Sequence, residues 1–323
     1  MKQNRDKEQL YKFVSMKRSI FIIALILFAI QVTANNRWAI VVGISNYPKE
    51  TGWGKISGVA DVDIVIPMLK QNGFNENNII TLTDKQATKK GVEAAFDNLS
   101  NQVKSGDVIY FHFSGHGQLI TDLNNDERDE YGDLIGYDTA LIPYDACRKY
   151  DPIKYRGENH IIDDELNEWL HLIKSKIGNE GSLIVVLDAC HSGGATRDED
   201  EEEDEELITR GGEPFDIKFT NRSGNSFGLP NAVDRSIDNT QEENWICLSA
   251  CTQKQVNFEF RIDGKSYGRL TTAIAEVLTE NITAKELIDA INNTRQYQVY
   301  PKKDTPQNLE YNIVKGQENK KVL

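Results

Sequence analysis

The sequence predicts an α/β protein built on a mostly parallel sheet with helices on both faces. Three observations carry that expectation. Short, near-continuous apolar and β-branched runs recur along the chain, stretches with helical spacing separate them, and two of the runs open directly into long polar segments without periodicity.

Taken in order, "RWAIVVGI" (37–44) reads as a strand and "ADVDIVIPMLKQNGF" (60–74) as a helix closed by Gly73. "IITLT" (79–83) is a strand, "TKKGVEAAFDNLSNQV" (88–103) a helix and "DVIYFHF" (107–113) a third strand. "DDELNEWLHLIKS" (163–175) is a helix, "SLIVVLDA" (182–189) a fourth strand and "NWICLSA" (244–250) a fifth. "GRLTTAIAEVLTE" (268–280) and "TAKELIDAINNTRQY" (283–297) close the chain as helices. No repeat and no Pro- or Ser-rich linker divides residues 35–323, so one domain is expected. The segments 117–150 and 203–231 break the alternation, and each follows a strand. In an open parallel sheet, ligands bind at the C-terminal strand ends, so function is sought there.

At 39% hydrophobic and 27% charged residues, the 323-residue chain is of ordinary globular composition. Residues 1–34 stand apart: Lys17 and Arg18 precede an apolar run from Ile20 to Ile30, followed by Val32, Thr33 and Ala34, small residues suited to signal-peptidase cleavage. This reads as a secretory signal, with Met16 a possible true start. Eleven apolar residues fall short of the roughly 20 a spanning helix needs, so export to the periplasm or outside is favoured over an N-terminal membrane anchor. Removing residues 1–34 leaves 31 of the 37 basic and 48 of the 50 acidic side chains, a net charge of −17. Nucleic acid and stable membrane association are thereby disfavoured, and a monomer is expected. Nine acids in a row, Asp198 to Glu206, predict a solvated loop insertion over about 198–231. Cys147, Cys190, Cys247 and Cys251 do not suggest a disulfide framework.

The third strand runs into "FSGHGQ" and the fourth into "DACHSGG". If these strands are neighbours, His116 and Cys190 emerge at one edge of the sheet, as a nucleophile and its base would. An unperturbed thiol titrates near about 8.5, and an adjacent imidazole raises its thiolate content and can later protonate a leaving amine. The amides of Gly117 and Cys190 are candidates to hold an oxyanion. His191 competes for the base role. A zinc site from His112, His116, Cys190 and His191 is disfavoured, because His112 should face away from Phe113 and no ligand pair has finger-like spacing. Asp188, two residues before Cys190, shares its face in an extended strand. A carboxylate beside a thiolate weakens it unless a cation sits between them, and a substrate lysine or arginine would be that cation.

"FHFSGHGQ" followed by "LIVVLDACHSGG" resembles the His and Cys motifs of caspase-like cysteine peptidases, most closely metacaspases. The resemblance runs from about Arg37 to Gln307 and includes "WAIVVGISNY", "GYDTALIPYD", "IIDDELNEWL" and "ICLSACTQKQ". It implies a caspase-like three-layer sandwich, a Cys190–His116 dyad and cleavage after arginine or lysine, with Asp188 and Asp61 as acidic pocket residues. Asp63 competes with Asp61, since the usual Asn-Asp-Ala is Ala60-Asp61-Val62 here. The chemistry itself needs no cofactor. Calcium activation is implied through carboxylates matching Asp138, Asp163 and Asp164, although Arg197 stands where the family supplies a further acid. The stretch 122–133 departs from an EF-hand loop at Glu127 and Asp133 and is not expected to bind as one. An enzyme of this specificity would cut itself at Arg210 or Arg222, both expected to be exposed. A catalytically silent caspase-fold module that binds peptides, and an arginine-directed peptidase of the clostripain or gingipain kind, are the alternatives.

Overall fold

The computed structural model describes residues 35–127, 134, 136–190, 207–217, 245–299, 306–314 and 316–323. The expected signal segment, the acidic run, His191, Arg197 and Arg222 lie outside the described residues. Among the described residues, no helix is long and apolar enough to cross a membrane.

The central sheet has six strands: β1 (Arg37–Gly43), β2 (Ile79–Thr83), β3 (Val108–Ser114), β7 (Ser182–Asp188), β8 (Ile246–Ser249) and β11 (Glu310–Asn312). Their order is β11-β8-β7-β3-β1-β2, parallel throughout except for β11, which runs antiparallel to β8. Every residue of β3 is buried, because both faces are covered; this is why the strand reads as an unbroken apolar run. Alternate residues feed two separate cores. Ile40, Val42, Phe111, Phe113 and Val185 pack against α2 (Lys89–Ser100) and α3 (Asp163–Ile177), through Val92, Phe96 and Leu99 and through Leu166, Leu170 and Ile173. Ala39, Val41, Tyr110, Ile184 and Val186 pack on the other face against α1 (Gly58–Gln71), α4 (Arg269–Val277) and α5 (Ala284–Asn292). The expected α/β sandwich, with helices on both faces of a mostly parallel sheet, is the observed one.

Several regions differ from the expectation, β11 among them, since no strand was expected after residue 250. The stretch 117–150, read as loop, contains β5 (Tyr137–Ile142) and all but the first residue of β4 (His116–Thr121), which form a small antiparallel sheet with β6 (Ile161–Ile162). Its strands mix polar and apolar residues, and acid-rich sequence separates β4 from β5, so the apolar signal is weak. The last helix, expected over 283–297, is interrupted: α5 ends at Asn292 and α6 covers Arg295–Gln298. Asn293 Nδ2 donates to Asp289 O (2.7 Å) and Thr294 Oγ1 to Ile291 O (2.7 Å), so side chains satisfy the terminal carbonyls of α5. A further hairpin, β9 (Phe260–Ile262) with β10 (Lys265–Tyr267), precedes α4.

Register brings the site together. Gly43 pairs with Ser114, and Ser114 with Asp188, so β1, β3 and β7 end side by side. Helix α1 approaches these ends backbone to backbone. A Cβ on Gly58 would stand 2.4 Å from Ser114 O, and one on Gly43 would stand 2.4 Å from Gly58 O. That close approach sets Asp61, in the first turn of α1, beneath the strand ends.

Candidate active site

Four segments leave the aligned strand ends and converge: 44–57 after β1, Gly115 to Gly117 after β3, Ala189 to Cys190 after β7, and 250–259 after β8. Gly115 N donates to Asp188 O (3.4 Å), tying the His116 turn to the end of β7. His116 opens β4; its N–H donates to Tyr47 Oη (3.0 Å), whose hydroxyl donates to Ile142 O (2.9 Å). The imidazole stacks on Trp53, ring centroids 4.7 Å apart at 24°. Its Nε2 lies 3.1 Å from Gly54 O. A carbonyl only accepts, so Nε2 carries the hydrogen and Nδ1 is left as the basic nitrogen; Nδ1 is buried and accepts no hydrogen bond. Burial lowers the imidazole pKa to about 4; the Gly54 hydrogen bond opposes the shift, and Arg210 and Arg148 add to it.

Cys190 is wholly buried, and its thiol donates to Gln255 O (3.1 Å). Cys251 donates to the same carbonyl (3.4 Å), and its contact with Cys190, together with burial, raises its pKa. None of the four cysteines is in a disulfide. His112 does not join this group: it lies on the Tyr110 face of β3, with Nε2 3.2 Å from Thr271 Oγ1. Among the described residues, no His or Cys belongs to a metal-binding cluster.

The expected exposure of Arg210 is overturned: it is among the most deeply buried side chains, with no solvent-accessible surface. Its Nη2 lies 2.8 Å from Asp61 Oδ2 and 3.1 Å from Glu259 Oε1, and its Nη1 is 3.5 Å from Asp188 Oδ1. Ser114 Oγ and Ser57 Oγ accept from the same guanidinium at 2.6 and 3.0 Å. Each carboxylate is itself fixed. Asp188 accepts from Thr271 N, Thr271 Oγ1 and Asn257 Nδ2, each at 2.8 Å. Asp61 accepts from Gly268 N (2.8 Å) and from Ser114 Oγ, and Glu259 accepts from Ser57 N and Oγ, both at 2.6 Å. Burial raises Asp61 to about 6, Arg210 pulling it back and Asp188 adding to the rise. Asp188 is also penalised by burial, but Arg210, Asn257 and Thr271 outweigh this and lower it. Burial works against the Arg210 charge as well, yet the three carboxylates dominate and hold it protonated. Of the two competing acids, Asp61 is the one paired with Arg210, while Asp63 is exposed.

The backbone of the same segment is docked too. Thr209 bridges Phe258 in antiparallel fashion, and Arg210 N donates to Asn257 O (3.0 Å). The carbonyl oxygen of Arg210 accepts from Gly117 N (3.0 Å) and Cys190 N (3.1 Å). The Arg210 carbonyl is thus held by two convergent amides, that of Cys190 and that of the residue following His116, and paired amides of this kind are what stabilises an oxyanion in acyl transfer. Glu259, Asn257, Trp53 and Gly54 were missed in the sequence. Only weak signals announced them: an acid between the aromatics of "NFEF" and a Gly-Trp-Gly triplet after a strand end.

A second acidic group lies apart. Oxygen atoms of Asp122, Asp126 and Asp138 fall within 4.8 Å of one another, as do those of Glu127, Asp138 and Asp163. Burial first, then mutual repulsion, raises Asp138 to about 8 and Glu127 to about 7; for Asp163, at about 6, hydrogen bonds from Thr139 oppose burial. Asp163 Oδ1 is buried without a hydrogen bond, and all the donors are hard oxygens, so the residues fit a calcium ion. Of the three expected carboxylates, Asp138 and Asp163 lie in these groups, whereas Asp164 lies in neither and accepts from Asn124 Nδ2 (2.9 Å).

The chain is similar to known proteins in both sequence and structure. The Caspase domain model of peptidases matches residues 36–315. Metacaspase-1A of Aspergillus niger and Metacaspase-1 of Emericella nidulans are each 32% identical over 168 residues, 49% of this chain and 36% of theirs. The match thus spans about a third of the length of these relatives. In fold, the chain is similar to protein GSU0716 from Geobacter sulfurreducens, with a TM-score of 0.55 at 20% identity, covering 88% of this chain and 97% of that one. With a Caspase domain match across most of its length, the chain belongs to the caspase-domain family of cysteine peptidases.

Proposed function

We propose that the protein is an exported, monomeric cysteine endopeptidase that cleaves peptides and proteins after arginine or lysine by a Cys190–His116 dyad, and that the Arg210–Gly211 bond is its own first substrate. The observation that carries this reading is the double capture of Arg210: its guanidinium sits among Asp61, Asp188 and Glu259 while its carbonyl oxygen accepts from Gly117 and Cys190.

In this reading the Cys190 thiol turns from Gln255 O, gives its proton to His116 Nδ1 and attacks the Arg210 carbonyl carbon. The oxygen takes the negative charge under the two amides, each such donor contributing about 3 kcal/mol to the barrier reduction. Collapse breaks the C–N bond as the imidazolium returns its proton to the Gly211 nitrogen. Water, activated by His116, then hydrolyses the thioester and restores the thiol. Gly54 O keeps the productive tautomer throughout. The segment that supplies Arg210 also fills the pocket, so foreign substrates gain access after the bond is cut and the side chain leaves. Calcium, held by Asp138 and Asp163 with Glu127, Asp122 and Asp126, would brace β4, β5 and α3 around the site. Arg222 remains a second candidate bond.

The test uses Arg-, Lys- and Asp-terminated fluorogenic peptides, with and without calcium, on wild type and Cys190→Ala. Cys190-dependent turnover of Arg and Lys peptides is expected, with the 210–211 cut absent from Cys190→Ala. Release after aspartate, or none at all, overturns the reading, the latter in favour of a silent peptide-binding module.

A further inference from the structure

Beyond Arg210 the docked segment continues through Gly211, Gly212, Glu213 and Pro214 to Phe215, and Gly212, Glu213 and Phe215 each meet a built surface. Gly212 lies under Trp53: a Cβ there would stand 2.7 Å from Trp53 Cη2 and 2.8 Å from Cζ3. Glu213 O accepts from Gln118 Nε2, which also donates to Arg148 O (3.0 Å), while Gln118 Oε1 is held by His160 Nε2 (3.0 Å). Phe215 N donates to Leu119 O (2.7 Å) and Phe215 O accepts from Thr121 N (3.2 Å), a parallel bridge to Ile120 on the edge of β4. Its ring is 1% exposed, with centroids 4.7 Å from His160, 5.8 Å from Tyr155 and 6.0 Å from Tyr150; the two tyrosines meet it edge to face. Gly157, at φ 101°, closes the floor: a Cβ there would stand 3.2 Å from the ring.

A free strand edge with a pocket for one side chain recognises extended peptide by main-chain pairing and side-chain selection. We propose that this face is a recognition groove for the leaving-group side of protein substrates. It requires glycine at the second residue after the scissile bond, beneath Trp53, and takes an aromatic side chain at the fifth, between Tyr150, Tyr155 and His160. The substrate class is therefore an extended segment of the form basic residue, any, glycine, any, any, aromatic. The chain's own Arg210-Gly211-Gly212-Glu213-Pro214-Phe215 is its template. The inference rests on Arg210–Gly211 being the bond positioned for cleavage.

The test empties the pocket with Phe215→Ala in the full chain and supplies the segment in trans. Three internally quenched peptides are compared: ITRGGEPFDI, ITRGGEPADI and ITRGAEPFDI. A short Arg-aminomethylcoumarin substrate, which has no residues beyond the bond, is run beside them. The Phe peptide is expected to show a kcat/KM at least about tenfold above the Ala peptide, mostly in KM, as loss of one buried ring implies. The Gly-to-Ala peptide is expected to fall further. Equal rates for all three, with the short substrate turned over, overturn the groove and leave the arginine reading standing. Turnover of none, short substrate included, overturns that reading. The groove is then judged by binding alone: GGEPFDI and GGEPADI are titrated against Cys190→Ala/Phe215→Ala, where a Kd ratio under threefold overturns it. Should Phe215→Ala fail to fold, Phe215→Leu is used with the same peptides.

Discussion

The Nη2 atom of Arg210 lies 2.8 Å from Oδ2 of Asp61, and both side chains are without solvent exposure. An ion pair in such a place is costly to desolvate and costlier to break, since removing one partner strands the other; losses of about 3–5 kcal/mol are typical. Arg210→Ala strands Asp61, Asp188 and Glu259 together. It is therefore expected to lower the thermal midpoint of the uncut protein by several degrees and to abolish the 210–211 cut. Arg210→Lys should retain the cut at a reduced rate. Mass spectrometry of the fragments and a melt at neutral pH check both. A stable Arg210→Ala chain still cut after residue 210 would remove the pocket's claim on the side chain.

Gly268 provides a second test, because it shapes the pocket without carrying charge. A Cβ at this position would stand 2.1 Å from Asp188 Oδ2 and 2.7 Å from Arg210 Nη1, and Gly268 N also donates to Asp61. Overpacking of this kind costs about 1–3 kcal/mol. Gly268→Ala is expected to lower kcat/KM for arginine peptides by about ten- to a hundredfold, with KM bearing most of the change. Unchanged kcat/KM would mean that arginine binds elsewhere.

The third expectation concerns the base. Burial under Trp53 lowers the His116 pKa to about 4 while the pocket is filled. A histidine with a depressed folded pKa contributes stability above its unfolded value of about 6.5, and that contribution is lost as pH falls toward 4. The same depression keeps Nδ1 unprotonated in mild acid, so the rate of the 210–211 cut should hold to about pH 5 and drop nearer pH 4. Trp53→Ala admits water and is expected to move this acid limb upward by more than half a unit, with a fall in rate. An unmoved limb would assign Trp53 to Gly212 alone.

Residues 183–187 and 108–113 were legible as strands because both of their faces are buried, which forces continuous apolar sequence. The same logic exposed His116, Cys190 and Asp188, since polar residues that end such runs stand at the sheet edge. Strands β4 and β5 gave no comparable signal, having Gln118, Asp138 and Thr139 among their residues. The burial of Arg210 was hidden for a different reason. A Gly-flanked polar residue beside an acidic run looks solvated; what buries it is a set of carboxylates at positions 61, 188 and 259, brought together by tertiary packing alone. Asn257 and Glu259, two apart on an extended stretch, both face that cluster, but nothing local distinguishes them from surface residues.

The acidic group on β5 and α3 yields the last expectation, in which pH and calcium are linked. Asp138, Glu127 and Asp163 have folded pKa values of about 8, 7 and 6, all above the unfolded carboxylate range. A raised carboxylate pKa means that the folded state holds more protons between the two values, so stability falls as pH rises from about 4 to about 8. Above that window the three charges face one another uncompensated. A calcium ion bound there would reverse this, and its binding would displace the protons, so its affinity would increase across the same range. Calcium at millimolar concentration is thus expected to raise the thermal midpoint of Cys190→Ala more at pH 8.5 than at pH 6. Asp138→Asn should remove most of the difference, and Asp164→Asn should leave it nearly intact. Equal calcium shifts at both pH values, or a greater loss from Asp164→Asn than from Asp138→Asn, would assign the ion to other ligands.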